Sequence, residues 1–242
     1  MSYIFREHIK QSLAVIAFLI TLTACTSESY DAGDGPNSYL TADLVLLHTS
    51  QDKSVRSALL DDGTTLQFSN PFAQDWLTRP DSVYRALLYY DKTVAASDAA
   101  ASNPTATSIV RARSVRPVSV LRPVETEDME TLRTDPVGFE SIWLSKNKSY
   151  INLSLLLKSG KTEADDALHA LGIVSHGTTT DADRRRTLHL TLYHDQGGVP
   201  AYYTVQQYVS IPTQLLEKAD TVELTLNTYN GKKVVKVAVS NL

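Results

Sequence analysis

Cysteine is almost absent from this chain. Its 242 residues carry one, Cys25. A single thiol excludes an internal disulfide, so packing alone must stabilise whatever folds. A basic surplus is also missing. With 23 Lys and Arg against 27 Asp and Glu, the formal net charge is −4. That balance argues against nucleic acid as a partner and against charge-driven binding to anionic membrane. No apolar run reaches the ~20 residues that a bilayer-spanning helix needs. Neither a Gly-x-Ser-x-Gly elbow nor a phosphate-cradling glycine loop occurs. The apolar fraction, 43%, is ordinary for a globular protein, so a packed core is expected.

What the chain does have, at its start, is a leader. Arg6 and Lys10 make it basic, Ser12 to Leu22 is an apolar run too short to span, and Thr23 and Ala24 are small. These are the three parts of a secretory signal. The one cysteine follows directly. Leu22-Thr23-Ala24-Cys25 resembles a bacterial lipobox, in which the thiol is acylated, the leader is cut away before it, and the new amino terminus is acylated too. Several acyl chains give stable anchoring where one is marginal. Thr26 rather than aspartate follows, a pattern that resembles outer-membrane sorting. Removing residues 1–24 takes Arg6, Lys10 and Glu7 and leaves 21 basic and 26 acidic side chains, net −5. Residues 25–38 are polar with Gly33, Gly35 and Pro36, which predicts a flexible tether.

Residues 39–124 read as five strands. Leu44 to Leu47 is an unbroken apolar run that suits a buried strand. Val55 to Leu60 and Thr65 to Phe68 flank Asp61-Asp62-Gly63-Thr64, a hairpin signal in which Asp62 is expected to tolerate positive φ. Asn70 to Asp81, with Pro71, Trp76 and Pro80, reads as a loop with one helical turn. Val83 to Asp91 is a strand rich in Tyr and Leu, and Ser108 to Leu121 a long extended run whose far end Pro117 and Pro123 place at a sheet edge. Between them, 93–107 is an Ala/Ser-rich stretch that predicts an exposed loop. Five strands fit a small Greek-key barrel of the OB type, among other five-stranded folds.

Glu125 to Asp135 is charged and marks a junction with a short helix. Residues 125–242 then show short strands with regular turns, the pattern of an antiparallel β-sandwich. Leu188, Leu190 and Leu192 alternate with His189, Thr191 and Tyr193. Thr162 opens a predicted short helix with Leu168 and Leu171 on its apolar side and Gly172 as its stop. Pro212 to Ala219 is a short helix or corner. Asn230-Gly231, between two Val- and Leu-rich runs, predicts a type I′ hairpin. The fold class expected is therefore all-β, a small barrel followed by a sandwich.

Several separated segments of this chain resemble the NigD-like lipoproteins of Bacteroidetes. They are Ser149 to Leu153, Thr187 to His194, Gly198 to Tyr203, and Asp61 to Thr64 with the strand after it. The resemblance covers nearly the whole chain after the leader, and the insertion at 93–107 departs from it. It implies an N-terminal OB domain, a C-terminal β-sandwich and a role like that of a bacteriocin-immunity protein. It brings no functional residues with it.

Chemistry-bearing residues are scattered. His189 and His194 lie five apart on one strand and so face opposite ways, which keeps them from sharing a metal. His169 and His176 complete a set of four in the second half. Ser50-Gln51-Asp52-Lys53 matches Ser-x-x-Lys but sits in a turn without its companion motifs. Arg184-Arg185-Arg186 reads as a solvated loop. Arg111, Arg113, Arg116 and Arg122 with Tyr84, Tyr89 and Tyr90 imitate a nucleic-acid groove, but in an exported protein they read as a solvated strand face over core tyrosines. Glu140, Asp165, Asp166 and Asp195 supply carboxylates, with no spacing that singles out a pair. No catalytic residue, cofactor or metal is assigned. The expectation is a non-enzymatic binding module on the outer membrane, joined to it by acyl chains on Cys25, with a protein or glycan as ligand. The alternatives are a structural or assembly subunit of the envelope, or a hydrolase acting on envelope polymer.

The anchor generates a direct expectation. Cys25→Ala moves the protein from the detergent phase to the aqueous phase of a Triton X-114 partition and abolishes palmitate labelling. A variant that still labels and stays with detergent overturns the lipobox.

Overall fold

A strand that reads as an unbroken apolar run is covered on both faces, and two such strands build the junction of this molecule. The computed structural model describes residues 40–92, 108–125, 132–161, 168–216 and 218–239. The leader, the tether with Cys25, the stretch 93–107, the helix expected to open at Thr162 and residues 126–131 of the charged junction lie outside them.

Strands β1 (Leu40–Thr49), β2 (Val55–Leu60), β3 (Thr65–Phe72), β4 (Val83–Lys92) and β5 (Ser108–Pro117) close into a barrel in the order β1-β2-β3-β5-β4. β3 and β5 run parallel and the other neighbours antiparallel, an OB-type arrangement. Val45, Leu47, Ala86, Leu88, Tyr90 and Val110 fill the inside, with Leu77 from the β3–β4 loop. Alternation then turns Leu44 and Leu87 outward. There they meet Val118, Tyr89, Trp143 and Tyr208 in a separate small cluster. The runs at Leu44–Leu47 and Ala86–Leu88 are apolar throughout because their outer face is a second interior.

The sandwich has β14 (Gly231–Ala238), β13 (Thr221–Thr228), β11 (Arg186–Asp195), β10 (Ala170–Thr180) and β7 (Pro123–Glu125) in one sheet. The other holds β6 (Ser119–Val120), β12 (Tyr203–Pro212), β9 (Tyr150–Ser159) and β8 (Gly138–Leu144). Ile151, Leu153, Leu155, Leu188, Leu190, Leu224 and Leu226 fill the space between them. The fold is thus all-β, an OB-type barrel followed by a β-sandwich. The sandwich is not wholly antiparallel. β13 runs parallel to β11 because β12 crosses to the other sheet between them. β6 and β7 run parallel to β12 and β10.

Of those two strands, β6 falls in the long extended run Ser108 to Leu121, and β7 just beyond it. Within residues 117–125 the chain leaves the barrel, adds an edge to one sandwich sheet and then an edge to the other. Pro117 ends β5 in the barrel and Pro123 opens the edge strand β7, positions that tolerate a missing N–H. β6 falls inside 39–124 and β7 straddles its end, and both pair with the sandwich sheets.

Local departures from the sequence reading have local causes. Leu171 and Gly172 lie in β10, not at a helix end, and β10 continues past Ser175 through a bulge where Gly177 takes φ 81. In both predicted hairpins the positive φ falls on glycine, 90° at Gly63 and 100° at Gly231, and not on Asp62 or Asn230. Gly63 N–H donates to Leu60 O at 3.0 Å and Leu60 N–H to Thr64 O at 2.9 Å. This is a longer loop closed by a glycine bulge rather than a two-residue I′ turn. Asp62 instead accepts the Thr64 N–H at 2.9 Å. β3 extends to Phe72 through residues that read as loop, with the Asn70 amide bonding Ala112 N–H and C=O, both at 3.0 Å. Where the sequence predicts a short helix or corner after Pro212, the chain makes a 3-10 turn, Thr213–Leu215.

Candidate functional site

The barrel lies on the outer face of the four-stranded sheet, and one cation crosses that contact. Arg85 projects from β4 on the same outward face as Leu87 and Tyr89. Its side chain is 1% exposed. A buried guanidinium needs a partner for its charge and for its donors. Asp61, in the turn just after β2, accepts from both terminal nitrogens at 2.6 and 2.7 Å. Asn152 Oδ1 on β9 accepts at 3.0 Å and Ser210 Oγ on β12 at 3.2 Å. The Asn152 amide donates to Asp61 at 2.9 Å, the Ser210 hydroxyl donates to Asn152 at 2.7 Å, and the Tyr150 ring lies 4.4 Å from the guanidinium carbon. Two residues come from the barrel side and three from the sandwich. Every charge and amide in the set has a partner, the condition under which a buried polar network rigidifies a contact.

Beside this network the two bodies leave a furrow. One half, of about 320 Å³, is lined by Asp43, Asp62, Leu87, Trp143, Lys146 and Tyr208. The other, of about 300 Å³, is lined by Leu87, Tyr89, Arg116, Gln206, Gln207 and Tyr208. Leu87 and Tyr208 belong to both, so the halves flank one apolar ridge. Trp143 meets Tyr208 edge to face with ring centroids 6.4 Å apart. Burial pushes the Asp62 carboxyl up, but the Thr64 backbone and side chain, with Lys146 nearby, outweigh it and hold it below the usual value as an anion. The Tyr90 phenol, raised by burial and by Asp43, stays protonated and donates to Asp43 at 2.8 Å. Arg116 stands over Tyr89 at 5.7 Å. Aromatic rings in the middle with fixed polar groups at both ends suit reversible binding of an extended ligand.

Of the residues that the sequence singles out, Tyr89 and Arg116 line the furrow, and most of the others are placed elsewhere or apart. Cys25, Asp165 and Asp166 lie outside the described residues. Glu140 is held below its usual value by hydrogen bonds from Ser154 and Gln206, and Asp195 pairs with Arg133 at 3.2 Å and caps Gly197. Glu140 is on β8 and Asp195 at the end of β11, in different sheets. Ser50 and Lys53 share a tight turn in which Ser50 and Ser54 bond Asp52 and hold its pKa at about 2. On the barrel, Arg113 pairs with Asp91 and Tyr84 accepts from the Arg79 N–H. Among the described residues no group of three or more His, Cys, Asp and Glu is placed to hold a metal, and no helix is long and apolar enough to cross a membrane.

The histidines divide as their spacing predicts. His189, on the outer face of its sheet, bonds Thr179 and Glu223. His194 faces the core and is 1% exposed. Its Nδ1 meets the Asp135 carbonyl at 2.9 Å, which can only accept, so Nδ1 carries the proton. Nε2 is then the acceptor for His169 Nδ1, also at 2.9 Å. His169 Nε2 is left buried without a hydrogen-bond partner. Burial and then His194 lower the His169 pKa below 6.5, against a weaker upward pull from the Lys158 backbone.

Arg85 is the residue that sequence reasoning missed. The signal was a lone arginine inside Val83-Tyr84-Arg85-Ala86-Leu87-Leu88, where a strand covered on both faces forces the charge to find a carboxylate.

Comparison with known proteins follows the same division. Residues 120–239 match the family model described as the NigD-like C-terminal beta sandwich domain. Among solved structures, the fold is shared with a NigD-like immunity protein from Bacteroides caccae, 24% identical over 81% of this chain and 91% of that one, with a TM-score of 0.59. It is shared with a protein from Parabacteroides distasonis described as toxin-related, at 20% identity over 82% and 92% with a TM-score of 0.55. It is also shared with a candidate lipoprotein from Bacteroides fragilis, at 14% identity over 83% and 98% with a TM-score of 0.59. At these identities the likeness establishes the fold. No curated protein matches.

Two measurements test the geometry. Arg85→Ala leaves Asp61 and Asn152 facing no cation and lowers the unfolding free energy by about 3 kcal/mol or more. Arg113→Ala, from a pair whose arginine is 37% exposed, lowers it by about 1 kcal/mol or less. Urea denaturation compares them, and equal losses would remove the Arg85 pair from its place at the junction. The His169 ring is favoured neutral in the folded chain, so its contribution is full above the unfolded value of 6.5 and is lost as pH falls toward the lowered folded value. The urea midpoint therefore drops on acidification from neutral pH to about 5, and His169→Gln flattens that slope. An unchanged slope refutes the pairing as drawn.

Proposed function

We propose, on the premise that residues 120–239 place this chain in the NigD-like family, that the protein is a non-enzymatic binding module of the bacterial envelope. It is held at the outer membrane by acyl chains on Cys25 and captures a polypeptide toxin in an immunity-like role. The furrow between barrel and sandwich carries this reading. It joins two β bodies through Trp143, Tyr208 and Leu87, and its polar ends are built from Asp62, Lys146, Arg116 and Gln206. Aromatic anchors flanked by charges of both signs suit a peptide segment, whose side chains and backbone offer matching groups. The name of the Bacteroides caccae neighbour, a NigD-like immunity protein, supports the immunity role. The Bacteroides fragilis neighbour, a candidate lipoprotein, supports the anchor.

Deleting the gene is expected to sensitise cells to a toxin from neighbouring strains, and the wild-type chain to restore resistance. A Trp143→Ala, Tyr208→Ala double variant is expected to reach wild-type abundance in the membrane and fail to protect. Killing curves that are unchanged by deletion remove the immunity role, and full protection by the double variant removes the furrow from it. Protease shaving of intact cells, with Cys25→Ala as control, reads the side: cleavage puts the module outside, and protection puts it in the periplasm.

A further inference from the structure

A second cleft lies at the far end of the sandwich and shares no residue with the furrow. Its volume is about 440 Å³, within the range of small-ligand sites. It opens where the edge strands of the two sheets, β8 and β14, come together. Val137, Gly138, Phe139 and Leu156 line one side, and the turn from Thr228 to Lys233 lines the other. Gly138 lets the first side close: a Cβ there would come within 2.7 Å of Leu156 Cβ. Gly231, at φ 100, turns the hairpin over the opening.

The chemistry of this cleft is one-sided. Lys232 and Lys233 line it, and no carboxylate does. Lys233 Nζ stands 4.7 Å from the centre of the Phe139 ring. Lys158 Nζ stands 5.9 Å from the Tyr229 ring, fixed by a hydrogen bond to Thr204 Oγ1 at 3.0 Å. Among the described residues none of these three lysines has an ion-pair partner. Guarding an exposed edge strand is one use of lysine. Lys236 on the same strand serves it, with its charge neutralised by Glu223 at 3.0 Å. Lys233 differs, because its ammonium is laid against a ring at the cleft wall. Cations placed over aromatic rings with no ion-pair partner among the described residues, in a cleft lined by no carboxylate, make a local positive field in a chain of net charge −4.

We propose that this cleft binds a small anion, the carboxylate or phosphate of a ligand of monosaccharide size, with Lys232 and Lys233 as its charge partners and Lys158 at its rim. The site is independent of the furrow, and its failure leaves the toxin-capture reading untouched.

Isothermal titration of the full-length, detergent-solubilised protein with glucuronate and with glucose 6-phosphate tests it, with glucose as the uncharged probe. One acid or both bind saturably, glucose does not, and added salt weakens the binding. The acid that binds more tightly names the anion. Lys232→Gln with Lys233→Gln lowers the affinity about tenfold or more, as the loss of charge-assisted bonds requires, while the urea midpoint stays near wild type because both side chains are exposed. Binding of glucose as tight as that of the acids, no saturable heat from either acid, or an affinity unchanged in the double variant overturns the site.

Discussion

The arrangement of this molecule depends on where the charge of Arg85 goes. An arginine in the middle of a strand that is covered on both faces has no water to turn to, and leaving it unpaired costs several kcal/mol. The chain meets that demand from both bodies at once, with Asp61 from the barrel and Asn152, Ser210 and Tyr150 from the sandwich. An ion pair of this kind contributes little net stability compared with apolar packing of the same volume. What it does is discriminate. Two apolar faces slide over one another with small loss, whereas a guanidinium with bonds to three different strand ends or faces has one position in which all are made.

That constraint works together with a covalent one. The segment 117–125 leaves the barrel and at once becomes an edge of each sandwich sheet, so the connection is ladder hydrogen bonds rather than linker. Val118 N–H donates to the Arg85 carbonyl and Leu121 N–H to the Ser210 carbonyl, at 3.0 and 2.9 Å. Backbone and side chains of the same residues thus fix the same contact. The furrow is the space left by a contact made in this way. Its walls belong to different bodies, and its shape is as rigid as their registration.

Much of this was legible in the sequence, and the limits have physical reasons. Strand positions followed from apolar runs and period-2 alternation, because burial writes itself into residue type. The opposite faces of His189 and His194 followed from the same period. Three features escaped. The hairpin glycines were read one turn type away, since Asp-Gly and Asn-Gly satisfy both a two-residue turn and a bulged loop, and register decides between them. The start of β10 reads as a helix end, with a brief strand only from Ile173 to Thr178, because Gly172 stops a helix as readily as it sits opposite Tyr193 in a sheet, where a Cβ would stand 3.5 Å from the tyrosine's own. The short strands β6 and β7 carry no periodicity, being two and three residues long. Only the partner sheets identify them. The junction itself was visible in principle, because apolar residues at consecutive positions in β1 and β4 already required a second covering surface.

The two candidate binding places then follow from different physics. The furrow is made by tertiary registration, so substitutions at Asn152 or Ser210, which do not line it, bear on its shape without touching its walls. The lysine cleft is made by local structure, a hairpin turned over by Gly231 beside a strand held close by Gly138. It depends on the sandwich alone. A perturbation of the Arg85 network therefore separates them: it disturbs recognition in the furrow through the relative placement of two bodies, and it leaves the field of Lys232 and Lys233 where the β13–β14 hairpin puts it.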